Sequence, residues 1–306
     1  VSYTYPVAHP TGTLTKEQLH LFLANKALIA RRVADITKMK FIADWLLQGR
    51  FDATGGGIFY ETGEPVFAGD DPASIGPLGE YPLVVLDDGT IASAKTDKWG
   101  LDTMISDEKI ARQGRVPVDR GILRVSNTII RHVDRIAMAV IASRVTSTFT
   151  SAGEWTSAGN AVESILTIQA ERTELGLGFE LDTVVLRPAQ YARIIGMLID
   201  DKSLPRESGE TAIQGNLPVN ALGLTWATTP HFQGSNPLLL DRDNLGGMAD
   251  EKIGGPGYAS AGTFGVEVKS IRDDDKEGYK VRGRRVTVPV VTEPLAGVQL
   301  LGTGIS

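Results

Sequence analysis

Cysteine is absent from all 306 residues of the sequence. Disulfides, thiolate metal sites and cysteine nucleophiles are thereby excluded, and stability has to come from burial and association. There is no run of eighteen apolar residues, and the opening Val-Ser-Tyr-Thr-Tyr-Pro has neither the basic start nor the apolar stretch of a signal peptide. Nothing in it points to a membrane. Histidine is scarce: His9, His20, His132 and His231 are scattered, without the paired spacing of a zinc or iron site. No Walker phosphate loop, Gly-x-Ser-x-Gly elbow or kinase signature occurs. Gly176-Leu177-Gly178 lacks the third glycine of a dinucleotide loop and precedes a predicted strand instead of following one. Asp273-Asp274-Asp275 with Glu277 lacks EF-hand spacing and reads as a solvated turn. The expectation is no catalytic residue, no metal and no cofactor. Basic residues are the minority charge, 31 against 37 acids for a net −6, which disfavours a sequence-reading nucleic-acid binder.

What is present is ordinary and globular, with 42% hydrophobic and 22% charged residues. The length exceeds the usual single domain, so two or three packed units are expected. Residues 1–14, with two prolines and few large apolar groups, read as an extended arm. Thr15 and Gln18 have the spacing of a capping box, which predicts a helix starting there with Leu19, Phe22 and Leu23 on its apolar side. Leu28, Ile29, Val33 and Ile36, then Ile42, Trp45 and Leu46, continue the helical pattern up to Gly49. From residue 55 to 94 the chain turns rich in Gly and Pro, with strand-like segments at Ile58–Tyr60 and Leu83–Leu86 and a turn signal at Asp88-Gly89. A two-stranded excursion of this length is marginal alone and calls for a neighbouring subunit.

Leu101–Ser106 reads as a strand, and Pro117 with Asp119 opens the longest helix. Ile122, Val125, Ile129, Val133, Ile136 and Val140 are spaced as one helix face, predicting a strut over Asp119–Ser143 of roughly 37 Å at 1.5 Å per residue. A mixed α/β segment follows: a helix over Ala161–Glu174, a strand at Thr183–Leu186, a helix from Pro188 through Ile199, and strands at Leu224–Thr228 and Leu238–Asp241. The Gly-rich 246–262 segment reads as loop. Phe264, Val266 and Val268 alternate with polar residues, Arg272–Gly278 reads as a charged turn, and Tyr279–Val291 returns as a strand with a bulge expected at Gly283. Trp45, Trp99, Trp155 and Trp226 are spread out, as packing anchors are, and not clustered for base stacking.

Charge is segregated. Residues 55–94 carry Glu61, Glu64, Asp70, Asp71, Glu80, Asp87 and Asp88 and no Lys or Arg. Residues 112–144 carry Arg112, Arg115, Arg120, Arg124, Arg131, Arg135 and Arg144 against only Asp119 and Asp134. Opposite fields on separate elements steer association and fix register, although each exposed pair contributes only ~0–1 kcal/mol. The acids of the loop and Arg112, Arg115, Arg120, Arg124, Arg131 and Arg135 are therefore the expected interface residues, the loop of one subunit lying over the helix region of the next.

The order of parts, together with Gly56-Gly57-Ile58-Phe59-Tyr60-Glu61, Gly79-Glu80-Tyr81-Pro82, Lys98-Trp99-Gly100 through Ile105-Ser106-Asp107-Glu108, and Asn127-Thr128-Ile129-Ile130-Arg131 with Asp134, resembles tailed-phage major capsid proteins of the Hong-Kong-97-type fold, in particular those of actinobacterial phages. The likeness covers nearly the whole chain and lies in order and spacing, not in any one motif. It implies an α+β subunit with an N-terminal arm and first helices (1–50), an extended β-hairpin loop (51–98), a peripheral domain with the spine helix (99–150 and 263–292) and an α/β axial domain (151–262 and 293–306). It implies a non-enzyme that self-assembles as hexamers and pentamers into an icosahedral shell around double-stranded DNA, bound without sequence specificity, within the virion after assembly in the host cytoplasm. Scaffolding, portal and decoration proteins are the partners it suggests. Some relatives lock neighbouring subunits by a Lys–Asn isopeptide bond; with no Lys between 55 and 94, and Lys95 and Lys98 at the loop's base, subunits that separate fully on a denaturing gel are expected here. Two other readings stay open at this level: an encapsulin-like compartment, and an α/β enzyme using Glu163 or Asp182 as acid or base.

Overall fold

A computed structural model describes residues 15–37, 41–63, 71–72, 74–81, 83, 89–200, 223–232, 234–262 and 265–305. In chain order the elements are α1 (Lys16–Ala24), α2 (Lys26–Thr37), α3 (Ile42–Leu46), β1 (Gly49–Asp52), β2 (Gly57–Thr62), β3 (Thr90–Lys95), β4 (Asp97–Ser106), α4 (Asp107–Gln113) and α5 (Val116–Arg144). Then come β5 (Thr148–Thr150), α6 (Ala158–Glu174), β6 (Thr183–Leu186), α7 (Pro188–Asp200), β7 (Thr225–Thr228), β8 (Leu238–Leu240), β9 (Gly246–Asp250), β10 (Ala259–Ala261), β11 (Val266–Asp273), β12 (Gly278–Val291) and β13 (Gly297–Leu301). The chain divides into two compact units. One comprises the described residues of Val1–Phe41, Asp97–His132 and Glu251–Thr287; the other those of Ile42–Thr96, Val133–Asp250 and Val288–Ser306.

In the first unit the N-terminal helix starts as its sequence dictates: Gln18 N donates to Thr15 Oγ1 at 3.3 Å and Thr15 N to Gln18 Oε1 at 2.9 Å, a complete capping box. α1 and α2 bury Leu19, Leu23, Ile29 and Val33, and α2 packs on β10 and β11. The sheet pairs β10 with β11, β11 with β12 and β12 with β4, all antiparallel. The bulge expected at Gly283 is not there: Val268↔Gly283 and Gly283↔Leu101 lie within unbroken registers. The glycine serves packing instead, since a Cβ on it would stand 2.9 Å from Ile129 Cδ1 and 3.0 Å from Val125 Cγ1 of α5. Gly283→Ala should therefore cost about 1–3 kcal/mol through overpacking, read as a lowered thermal midpoint; an unchanged midpoint would show that α5 does not press on β12 there.

The strut helix runs three residues beyond the predicted start and one beyond the predicted end. Ile122, Val125, Ile129 and Val133 are buried as expected, but Ile136 and Val140 are only half-buried, and Ala137, Met138 and Ile141 take the buried positions. A seven-residue repeat drifts about 20° per heptad on a straight 3.6-residue helix, so the stripe rotates off the buried face.

In the second unit, β5, β13, β8, β6 and β7 form a mixed five-stranded sheet in that order. Ile165 and Ile168 from α6 and Ile194 from α7 join Val184, Leu186, Leu239, Val298 and Leu300 of the sheet in one core. Trp155, also in that core, donates from Nε1 to Ser164 Oγ at 3.3 Å, which satisfies the buried indole. The 246–262 segment is not all loop: β9 pairs parallel with β1, and β10 lies in the other unit's sheet. Gly246 and Gly247 are demanded by backbone contact, since a Cβ on Gly247 would fall 2.3 Å from Gly49 O and one on Gly246 2.2 Å from Val290 O. Gly49, read as a helix stop, opens β1.

Candidate assembly surfaces

The excursion is a two-stranded ribbon at its base. β2 pairs with β3 from Gly57↔Lys95 to Thr62↔Thr90; of the expected strand Leu83–Leu86 only Leu83 is described, and it lies outside any strand. Period-2 alternation gives the ribbon two unlike faces. Ile58, Tyr60 and Ala94 pack on Ala53, Ala249 and Val290, while Phe59 (83% exposed) and Ile91 (70% exposed) lie open with Glu61. Asp71 and Glu80 are exposed, and so are Leu78, Tyr81 and Leu83 near them. Glu64, Asp70, Asp87 and Asp88, and the proposed turn at Asp88, lie outside the described residues.

The predicted arginines separate into two groups. Arg115 Nε donates to Asp119 Oδ2 at 2.8 Å and Arg112 lies 3.8 Å from Glu108, so both are held in local i,i+4 pairs. Arg120, Arg124 and Arg131 are exposed on one stripe of α5 and make no ion pair among the described residues. Arg135 is exposed on the same stripe, in the part of α5 belonging to the second unit. Lys109, Arg120 and Arg124 also ring a cavity of about 260 Å³ whose apolar lining is Met104, Ile105 and Pro117, with no acid among the described residues of its wall. Arg120, Arg124 and Arg131, without counter-charge among the described residues, suit carboxylates brought from outside.

Other charges of the first unit form pairs between elements far apart in sequence, which sequence periodicity could not show. Arg282 donates from Nε and Nη2 to both oxygens of Asp102, each at 2.7 Å. Arg272 donates from Nη1 and Nη2 to the two oxygens of Asp107 at 2.8 and 2.7 Å, with its guanidinium 4.8 Å from the centre of the Tyr279 ring. These hydrogen bonds hold the Asp102 and Asp107 carboxyls below the usual carboxylate range and push both guanidiniums up. Because the folded values are depressed, the pairs contribute stability above an ordinary aspartate value of about 3.9, and that contribution is lost as pH falls through the folded values. The double variant Asp102→Asn/Asp107→Asn should therefore show a shallower loss of thermal stability between pH ~5 and ~2 than the parent; parallel curves would contradict the assignment.

Of the two acids considered for catalysis, Asp182 is engaged in an ion pair. Asp182 Oδ2 accepts from Arg242 Nε at 3.0 Å and Nη2 at 2.8 Å, and the same guanidinium lies 4.4 Å from the centre of the Trp45 ring. Glu163 is exposed on α6. In the acidic turn Asp273 pairs with Lys280 at 2.6 Å and Asp274 with Arg272 at 2.8 Å, while Asp275 and Glu277 are exposed. His132 packs edge-on against Trp99, ring centres 4.3 Å apart.

The sequence profile of the phage capsid protein family matches residues 90–300. The chain belongs to the phage capsid protein family. Among solved structures, this capsid protein is similar to the capsid of cyanophage P-SCSP1u, with 12% identity over 82% of this chain and 84% of that one and a TM-score of 0.55. It is similar to Gordonia phage Cozz at 14% identity over 85% and 86%, TM-score 0.52, and to the virus-like particle from Pyrococcus furiosus at 8% identity over 89% and 98%, TM-score 0.56. No curated protein matches its sequence. At such identities the structures establish the fold, the α+β Hong-Kong-97-type, while the family match favours a tailed-phage major capsid shell protein over a cellular compartment. Family and fold both point to a structural protein of the virion capsid.

Proposed function

We propose that this capsid protein assembles as hexamers and pentamers into an icosahedral shell that encloses double-stranded DNA, in the host cytoplasm and without enzymatic activity. The single observation that carries the reading is the family match over residues 90–300, more than half of the chain. In this reading 1–50 supplies the arm and first helices, 51–98 the extended loop, 99–150 with 263–292 the peripheral domain, and 151–262 with 293–306 the axial domain. Scaffolding, portal and decoration proteins are its partners.

Within the shell, the acidic loop of one subunit (Glu61, Glu64, Asp70, Asp71, Glu80, Asp87 and Asp88) lies over the arginine face of the next (Arg112, Arg115, Arg120, Arg124, Arg131 and Arg135). The uncompensated stripe at Arg120, Arg124 and Arg131, and the open apolar side chains Phe59 and Ile91 beside Glu61, support that contact. Non-specific enclosure of DNA is compatible with the net charge of −6, because a container needs no phosphate-binding groove. Particles purified by sedimentation should carry this chain as their most abundant protein and protect double-stranded DNA from nuclease. Particles filled with protein cargo and free of DNA would overturn the phage reading in favour of a compartment.

A further inference from the structure

β4 is a ten-residue strand, ~33 Å at 3.3 Å per residue, that uses only one of its edges. On that edge it pairs with β12 from Asp97↔Thr287 to Ser106↔Gly278 without a break. Among the described residues no strand pairs with the other edge. Natural sheets blunt such an edge with proline, a bulge, short length or inward-facing charge, because a row of free N–H and C=O groups recruits other strands. β4 has no proline and no bulge, it is long, and Leu101 and Met104 stand exposed on it.

The sequence along this edge is self-complementary. If two copies meet antiparallel with Gly100 opposite Gly100, Lys98 of each faces Asp102 of the other, and Trp99 of each faces Leu101 of the other. Successive side chains point to opposite sides of a sheet, so charge meets charge on one side and aromatic meets aliphatic on the other. Both groups are available for this. Lys98 makes no ion pair among the described residues, and Asp102, already held by Arg282, keeps acceptor capacity for a second cation. Leu101 is 43% exposed, and the central glycines carry no side chain to hold the backbones apart.

We propose that the free edge of β4 pairs with β4 of a second copy about a twofold axis through Gly100, joining the two first-unit sheets into one. A twofold contact is isologous: each copy offers the same patch, as this register requires. The proposal needs a second copy and so rests on the shell reading, but it concerns a contact distinct from the one between loop and helix.

The cysteine-free sequence makes the test clean. Lys98→Cys/Asp102→Cys places each thiol opposite the other residue's thiol in the partner, where oxidation should join assembled subunits into covalent dimers on a non-reducing gel, with no larger species. Each single variant should remain monomeric on the gel, because its two like thiols would be ~13 Å apart along the strand direction. Intact particles without dimers, a ladder of higher species, or single variants that crosslink equally well would overturn the edge pairing while leaving the shell standing. Wild-type protein that forms no particles would sink the shell reading itself. Should the double variant not assemble, hydrogen exchange on wild-type protein decides: amides of 97–106 should exchange at least ~10-fold more slowly in particles than in free subunits, and equal rates would refute the pairing.

Discussion

Reversing Asp70 and Asp71 to lysine should lower the yield of closed particles by ~10-fold or more at physiological salt, because like charges brought together at an interface cost several kcal/mol. The loop holds seven acids and no base, so each reversal both removes an attraction and adds a repulsion against Arg120, Arg124 and Arg131, which have no ion-pair partner among the described residues of their own chain. Any single exposed pair contributes little; the size of the effect comes from like charges that have no room to avoid each other once the loop is seated. Raising salt should recover part of the yield by screening, and adding Arg120→Glu and Arg124→Glu to the same chain should do so without salt. Sedimentation of assembly reactions reads all three. Intact particles with the parent's salt tolerance would count against the contact.

A loss of comparable consequence is expected inside the subunit, at Glu267. Its carboxylate accepts from Arg284 Nε at 2.8 Å and from Gly254 N at 2.9 Å, while Arg284 also donates to Gly254 O and lies 3.5 Å from the centre of the Tyr258 ring. Both side chains are about nine-tenths buried, 9% and 11% exposed, because the 251–258 segment covers this part of the sheet. Removing one partner of a buried pair leaves the other charge uncompensated, which costs about 3–5 kcal/mol. Glu267→Ala should lower the stability of the first unit by that amount and release Gly254 and Tyr258 from β11. Denaturant unfolding gives the free energy, and hydrogen exchange at 251–258 shows the release. A change below about 1 kcal/mol would mean that water reaches Arg284.

These two predictions draw on different kinds of information, and the difference marks what the sequence could tell. The loop's charge bias is a property of contiguous residues and is visible without coordinates. So are the Thr15–Gln18 cap, the strut helix and the strand Thr183–Leu186, each set by neighbours within four residues or by a repeat of 3.6 or 2. The Glu267–Arg284 pair, the Asp102–Arg282 pair 180 residues apart and the Arg272–Asp107 pair depend on strand register, which no local pattern encodes. β9 was hidden because the close approach of Gly247 to Gly49 demands glycine, the residue that otherwise signals a loop. β3 was hidden because its inward side chains are only Ala92 and Ala94, too small to stand out as an apolar alternation. Gly283 misled in the opposite direction, looking like a bulge where it is a seat for α5. Of the candidate surface, the residue types were legible in the sequence, while the distinction between paired Arg112 and Arg115 and uncompensated Arg120, Arg124 and Arg131 required the fold.

Electron microscopy of the purified wild-type chain tests the central claim most directly. A subunit whose ribbon exposes Phe59 and Ile91 and whose strut helix carries Arg120, Arg124 and Arg131 with no ion-pair partner among the described residues should close with its own copies into round shells of uniform diameter. A field of small single subunits, with light scattering reporting a monodisperse monomer at high concentration, would contradict it.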